Sequence, residues 1–294
     1  MVLKKVFIVK RIIFLLVSIT TISACDLNPN DFFPVADSPH KQTELTQKEI
    51  ESSSFREPYL LEIKGESNQL SKKAWGKMLE WRIQMVDFAK GQENVYSNGP
   101  DRKMVALTFD DGPDTLVTAA IIDILEEYEV TGNFFFVGEN AEKYPEVVKK
   151  AYDKGNLVLS HSYHHIDLAK LEIQEVQKEI EMAEEAIEKI IGQKPAMIRP
   201  PFGETNNDVA TVAMKNDYQI VLWSIDTLDW SQREAGNIVR NVTENVRNGD
   251  IILMHSAAQH SETERALPLM IEELQKRGYQ IVGLDTLLNI DAYQ

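Results

Sequence analysis

Two adjacent carboxylates, Asp110 and Asp111, end an apolar and β-branched run from Met104 to Phe109 and are followed at once by Gly112 and Pro113. The run predicts a short buried strand. Neighbouring strand residues point to opposite faces, so both carboxylates can share one site only where the strand ends and the backbone turns. Gly-Pro supplies that turn. Like charges this close repel unless one binds a cation and the other meets a positive partner. Taken alone, the pair is an Asp-rich turn; with a metal and an arginine nearby it becomes a centre for chemistry.

Downstream segments offer both. His161-Ser162-Tyr163-His164-His165 places two imidazoles four residues apart, on one face if the segment is a helical turn. With Asp111 they make a nitrogen and carboxylate set suited to zinc or a similar divalent ion, with room left for water and substrate. His164 then points elsewhere, into packing. Arg199-Pro200-Pro201-Phe202-Gly203 is a tightly shaped loop whose arginine offers a planar fork to a carboxylate, here assigned to Asp110. Neither proline has an N–H, so an oxyanion donor in this loop is the backbone N–H of Phe202 or beyond. Asp226-Thr227-Leu228-Asp229-Trp230 follows, and Ile252-Leu253-Met254-His255 ends a strand with a histidine. Such a histidine serves as a general acid if a nearby carboxylate raises its pKa and fixes its tautomer.

The elements that must position these groups alternate. Strand-like runs lie at 104–108, 132–137, 156–160, 196–199, 219–224, 251–254 and 279–282. Helical stretches lie near 116–129, 143–154, 168–191, 205–216, 233–247 and 263–277. Ile173, Val176, Ile180, Ala183, Ile187 and Ile190 step along one face of the third helix. About seven such repeats predict a mainly parallel sheet, closed or nearly closed as a barrel, with chemistry at the C-terminal ends of its strands. Leu70, Ala74, Leu79, Trp81, Ile83 and Val86 recur at helical spacing and predict a lead-in helix over 70–90 packed on the barrel, with Trp75 in packing rather than on a ligand.

The chain has 294 residues, 43% apolar and 26% charged, the composition of a globular protein. Its net charge of −15 argues against non-specific nucleic-acid binding. Lys4, Lys5, Lys10 and Arg11 precede an uncharged stretch from Ile12 to Ala24, too short to span a bilayer but suited to a signal-peptide core. It ends Ile22-Ser23-Ala24-Cys25, with the only cysteine of the chain. This resembles a bacterial lipoprotein signal, which implies lipidation of Cys25 and a place on the outer face of the cell membrane. Loss of residues 1–24, which hold four basic and no acidic side chains, takes the charge from −15 to −19. Residues 25–66, polar and proline-punctuated, read as a flexible tether whose apolar spots at Phe32-Phe33 and Tyr59-Leu60-Leu61 can alternatively dock. The expected organisation is a signal at 1–24, an anchored tether at 25–66, a helical lead-in at 67–98 and a catalytic domain at 99–290.

In their order and spacing the five motifs resemble those of the polysaccharide deacetylases of carbohydrate esterase family 4. The resemblance covers about residues 100–290. It implies a distorted (β/α) barrel and metal-dependent removal of acetyl from N-acetylated sugars. It makes Asp110 the catalytic base, and Asp111, His161 and His165 the ligands of a metal: zinc first, cobalt or nickel otherwise. It also makes Arg199 the residue that orients the base, His255 the general acid and Asp229 its carboxylate partner. Trp230 and Leu253 become the walls of the acetyl pocket, beside Phe202. Leu159-Ser160 and Ser256 depart from common family residues and leave substrate preference open. Export and anchoring favour a cell-wall glycan: N-acetylglucosamine of peptidoglycan first, N-acetylmuramic acid second, then chitin oligomers and esterified xylan. A wall-binding lipoprotein without chemistry and a metal-dependent phosphoesterase are the rival readings.

Overall fold

Strand β2, Met104–Asp110, is the hub of a parallel sheet, flanked by β3 (Gly132–Phe136), β8 (Asp250–His255) and the short β9 (Gln280–Ile281). These assignments come from a computed structural model, which describes residues 57–59, 61–64, 70–231 and 234–294, apart from the side chain of Ser261. The expected signal segment, Cys25 and the tether as far as residue 56 lie outside the described residues.

The remaining strands are β1 (Val95–Tyr96), β4 (Leu157–Ser160), β5 (Met197–Ile198), β6 (Gln219–Val221) and β7 (Ile225–Asp226). The order across the sheet is β1-β6-β5-β4-β3-β2-β8-β7, with β9 beside β2. The ends of that order are drawn together. Asn98, just after β1, bridges antiparallel to Asp250 at the start of β8, and the Gly99 N–H donates to the Gly249 carbonyl at 2.7 Å. The result is a distorted (β/α) barrel with a seam between β1 and β7.

Helices follow the strands as the periodicity requires: α1 (Lys72–Lys90), α2 (Val117–Glu127), α3 (Gly138–Lys143), α4 (Pro145–Asp153), α5 (Ile173–Ile191), α6 (Asn207–Lys215), α7 (Ala235–Thr243), α8 (Ser261–Lys276) and α9 (Leu284–Leu288). Among the described residues, no helix is long and apolar enough to cross a membrane. The expected start of the third helix at 168 is a separate 3-10 turn, Leu168–Lys170. The helix proper begins after Glu172, where a capping box with Glu175 satisfies the first free N–H groups.

Alternation along β2 separates the two sides of the sheet. Val105, Leu107 and Phe109 pack in one apolar cluster with α2 and α8, and Ala106 packs in the other with Phe135, Leu159 and Ile251. Thr108 and Asp110 share the side of Ala106. The strand expected over 219–224 breaks in the middle, because the Arg199 side chain takes the carbonyls of Val221 and Leu222 at 2.9 and 2.8 Å.

One sequence expectation needs correction, and at Tyr59 and Leu61 the docked alternative is the one observed. Ile83, placed on the packed face of the lead-in helix, is 52% exposed; the buried face is Arg82, Met85, Val86 and Ala89. Part of the stretch read as tether lies on the barrel: Leu61 is buried in the core, the Tyr59 hydroxyl bonds to Asp250, and Arg82 Nη2 donates to the Leu61 carbonyl at 2.8 Å.

Candidate active site

Asp110 sits at the C-terminal end of β2 and is paired in register with His255 at the end of β8. Parallel pairing therefore fixes an acid and a histidine on adjacent strands at one rim of the barrel. Arg199, leaving β5, is 0% exposed and grips Asp110 from behind: Nη1 donates to Asp110 Oδ1 at 2.7 Å and to Thr108 Oγ1 at 2.9 Å. With Nε and Nη2 bound to the Val221 and Leu222 carbonyls, the guanidinium has almost no freedom. It also lies 4.2 Å from the Phe135 ring centre. Burial lowers the pKa of Arg199, and the Asp110 carboxylate opposes that shift.

The turn that lets both carboxylates face one site is made by Asp111 itself, at φ +71°. Asp111 Oδ1 lies 3.4 Å from His161 Nε2 and 3.1 Å from His165 Nε2. His161 Nδ1 is 2.6 Å from the Arg199 carbonyl oxygen, which can only accept, so Nδ1 carries the proton. In the neutral ring Nε2 then presents its lone pair to the Asp111 carboxylate. Lone pairs facing a carboxylate need a cation between them, and the three donor atoms converge within 4.8 Å of one another. Two imidazoles, a carboxylate and a backbone carbonyl fixing one ring make a donor set that fits a divalent metal. Burial disfavours the Asp111 charge, yet a proton on the facing ring nitrogens, in the place a cation would take, outweighs it and holds the carboxyl well below the usual carboxylate range.

His161 and His165 reach this point without a helical turn. Residues 161–167 are an irregular loop in which Ser162 and His165 both have positive φ, bringing the ring centres to 5.0 Å. His164 turns away: its Nδ1 and backbone N–H bond Glu179 of α5 at 2.6 and 2.9 Å, a brace that pins the loop.

On the other side of the cleft Asp229 is saturated. Its Oδ1 accepts from His255 Nδ1 at 2.7 Å, and its Oδ2 accepts from the His255 N–H at 2.7 Å and the Thr263 hydroxyl at 2.6 Å. This fixes the tautomer and leaves His255 Nε2 as the free ring position. Burial works against a charged His255, but Asp229, with Asp111 and Asp110 behind it, outweighs that and pushes its pKa up to about 10. The Asp229 carboxyl is correspondingly held down by His255 despite its burial. His260 stacks on His255 at 4.9 Å, and Asp229, His255 and His260 form a second group of convergent donors, in which the Asp229 oxygens are already taken up by His255 and Thr263.

These groups open onto one cleft of about 480 Å³, whose walls include Asp110, Asp111, His161, His165, Phe202, Trp230, Leu253 and His255. Phe202, at φ +61°, is 59% exposed and sets its ring edge-on to His165, with centres 4.8 Å apart. Trp230 is tied by Nε1 to Asp226 Oδ1 at 3.2 Å, and Leu253 is buried. Ser256 braces Asp110: its N–H donates to the Asp110 carbonyl at 2.9 Å.

Sequence reasoning missed Lys77, Met78, Trp81, Glu204, Trp223 and Asp226, which also line the cleft. Asp226 was visible in its motif but without a role. Burial raises its pKa, an effect opposed by Arg82, whose own pKa burial lowers.

The rim of the barrel thus gathers a carboxylate gripped by arginine, a histidine with its own carboxylate and three convergent donors that fit a metal. Comparison with known proteins agrees. The polysaccharide deacetylase family matches residues 97–221. A peptidoglycan-N-acetylglucosamine deacetylase of Bacillus cereus is 39% identical over 193 residues, covering 65% of this chain and 70% of that protein. A peptidoglycan-N-acetylmuramic acid deacetylase of Bacillus subtilis is 36% identical over 64% of this chain but only 39% of its own length. Among solved structures, a peptidoglycan N-acetylglucosamine deacetylase superposes with a TM-score of 0.67 at 35% identity, covering 68% of this chain and 95% of that one. This chain belongs to the polysaccharide deacetylase family, a family of hydrolases.

Proposed function

We propose that this protein removes acetyl groups from the amino sugars of a cell-wall glycan, with N-acetylglucosamine of peptidoglycan as the foremost substrate. The observation that carries the reading is the pairing of Asp110 with His255 across β2 and β8, beside the Asp111, His161 and His165 donors in one cleft. The B. cereus relative acts, by its name, on the same sugar.

Asp111, His161 and His165 would hold the metal, for which zinc is our first choice; such an ion polarises an acetamide carbonyl and acidifies water. Asp110, oriented by Arg199, takes a proton from the water that attacks the acetyl carbon. The Phe202 N–H donates to the developing oxyanion. His255, held protonated through Asp229, gives its proton to the amine as the C–N bond breaks. Acetate and a free amino sugar leave. Leu253 and Trp230 offer apolar surface to the acetyl methyl.

The test is acetate release by the purified full-length protein from peptidoglycan and from N-acetylglucosamine oligomers, with zinc, with chelator, and in Asp110→Asn. Chelation should abolish release reversibly, and Asp110→Asn should lower kcat by about 10² or more. Metal-independent release, or an active Asp110→Asn, would remove the assigned mechanism.

The lipoprotein-like N-terminus supports a further proposal, that Cys25 anchors the enzyme to the outer face of the cell membrane. Cys25→Ser should move it from the membrane to the soluble fraction; retention in the membrane would contradict the anchor.

A further inference from the structure

Helix α1 lies ahead of the family match that begins at residue 97, yet it forms one side of the catalytic cleft through Lys77, Met78 and Trp81. We infer that α1 builds a sugar subsite beside the scissile acetamide, in which Trp81 stacks on a neighbouring pyranose and Lys77 binds the carboxylate that this sugar carries. The enzyme would thereby select acidic glycans over neutral ones. This inference rests on the reading of the cleft as a glycan deacetylase.

Three observations support it. First, Lys77 and Trp81 are four apart on one helix, so they share a face. That face is held in place by a buried one. Met85 and Ala89 sit in the same apolar cluster as Val95 and Trp223, and Arg82 is tied to the Leu61 carbonyl. A subsite on so anchored an element is pre-organised.

Second, the apolar wall is continuous with the catalytic loop. The Trp81 and Trp223 ring centres are 5.5 Å apart. Gly203, at φ +69°, presses against both: a Cβ there would lie 2.8 Å from Trp81 and 2.7 Å from Trp223. Two indoles therefore run up to the Phe202 turn, which borders His165. A flat aromatic surface next to a polar cleft suits the apolar face of a sugar ring.

Third, the charge is out of keeping with its surroundings. Asp110, Asp111, Glu204 and Asp226 all line the cleft, and the chain carries −15 overall. Arg199 answers Asp110 and His255 lies beside it, so the repulsion of an acidic polymer falls on the part of the cleft away from those cations. Among the described lining residues Lys77 is the only lysine or arginine, and it is exposed. A single ammonium at the aromatic end of the cleft offsets that repulsion at one point. A glycan that alternates a neutral N-acetylated sugar with a carboxylate-bearing one would then place the neutral unit over Asp110 and His255.

The experiment compares kcat/KM for acetate release by the full-length protein from soluble peptidoglycan strands and from N-acetylglucosamine oligomers of matched length. Lys77→Gln should lower the acidic-to-neutral ratio about 3- to 5-fold, the scale of one solvent-exposed ion pair. Lys77→Glu should lower it further. The Lys77→Gln effect should shrink in high salt, which screens exposed charge. Trp81→Ala should depress turnover of both substrates, because the ring also backs Gly203. A ratio unchanged in both Lys77 variants, with the wild type active, would overturn the subsite and leave the deacetylase intact. Wild-type inactivity on every glycan would instead sink the deacetylase reading. Strand binding to Asp110→Asn, followed by tryptophan fluorescence, decides the subsite in either case: weaker binding with Lys77→Glu added supports it, and equal binding rejects it.

Discussion

Asp229 sets the state of His255, because two of the three hydrogen bonds to its carboxylate come from that histidine, and the third, from Thr263, holds the carboxylate in place. The pair has a defined pH window. His255 is raised from 6.5 to about 10, so its contribution to stability is complete below pH 6.5 and is lost as pH rises toward 10. Asp229 is lowered, so its contribution holds above the ordinary carboxylate range and is lost only as pH falls below it. In Asp229→Asn, burial is left largely unopposed, and the His255 pKa should drop several units, toward or below 6.5. The imidazole resonances of the metal-stripped protein, followed by NMR against pH, give that value directly. A His255 that still titrates near 10 in the variant would remove Asp229 as the cause. The activity of the variant should fall about 10²-fold or more, since a neutral imidazole has no proton to give the amine. At this scale much was legible in the sequence. Asp110, Asp111, His161, His165, Arg199, Phe202, Asp229, Trp230, Leu253 and His255 all stand at or beside strand ends, where reactive side chains are visible against apolar runs. Lys77 and Trp81 were not legible, because on a helix the spacing of a cleft wall is the same as that of a packed face. The coupling of Arg82 with Asp226 was equally hidden, since nothing local ties residues so far apart in sequence.

The elements meet their site through backbone turns that side-chain identity does not advertise. Asp111, Ser162, His165, Phe202 and Leu228 all adopt positive φ, a conformation that costs a non-glycine residue on the order of 1 kcal/mol or more. They cluster at the strand ends that carry the motifs. This is why the His161–His165 segment read as a helical turn from its spacing: nothing in Ser162 or His165 announces a left-handed residue. The strand order was also beyond reach, as two-residue strands such as β1 and β7 leave no periodicity to detect, whereas the long run of β2 and the face of α5 were plain. One position should test how tightly the turn is built. A Cβ on Gly112 would fall 2.6 Å from Ser256 Oγ and 2.8 Å from Thr118 Oγ1. Those hydroxyls are already committed, Thr118 to the Ser256 carbonyl and Ser256 to that of Asp110. Gly112→Ala should therefore destabilise the protein by about 1–3 kcal/mol, the usual range for overpacking. It should also weaken metal binding by shifting Asp111. Calorimetry and a metal titration read the two effects; an unchanged midpoint and affinity would show that the turn yields freely.

At the scale of the whole molecule, the catalytic body starts earlier in the chain than its composition suggests. The sequence around residues 57–64 is polar enough to pass for tether, yet Leu61 is 3% exposed and sits in the same cluster as Val105, Leu107 and Ile252 of the central strands. Tyr59 bonds to Asp250, whose carboxylate also receives the Ser224 hydroxyl at 2.8 Å and the Arg247 N–H at 2.6 Å. Asn245 adds a bond to the Glu62 carbonyl. These contacts reach β8, the strand that ends in His255, and through Arg82 they reach α1, the helix that walls the cleft. The apolar run at Tyr59-Leu60-Leu61 showed in the sequence that this stretch could dock, but not where, because its burial comes from tertiary contacts alone. The consequence is a difference between two truncations. A fragment of residues 57–294 should keep the stability of the longer chain. A fragment of residues 67–294 exposes the site of Leu61 and strips a partner from Asp250 and from Arg82. Loss of a buried leucine costs about 2–5 kcal/mol, so the shorter fragment should melt several degrees lower. If α1 depends on this strap for its position, its acidic-to-neutral selectivity should fall as well. Equal melting temperatures for the two fragments would show that the strap rests on the barrel without holding it, and would return the start of the catalytic body to α1.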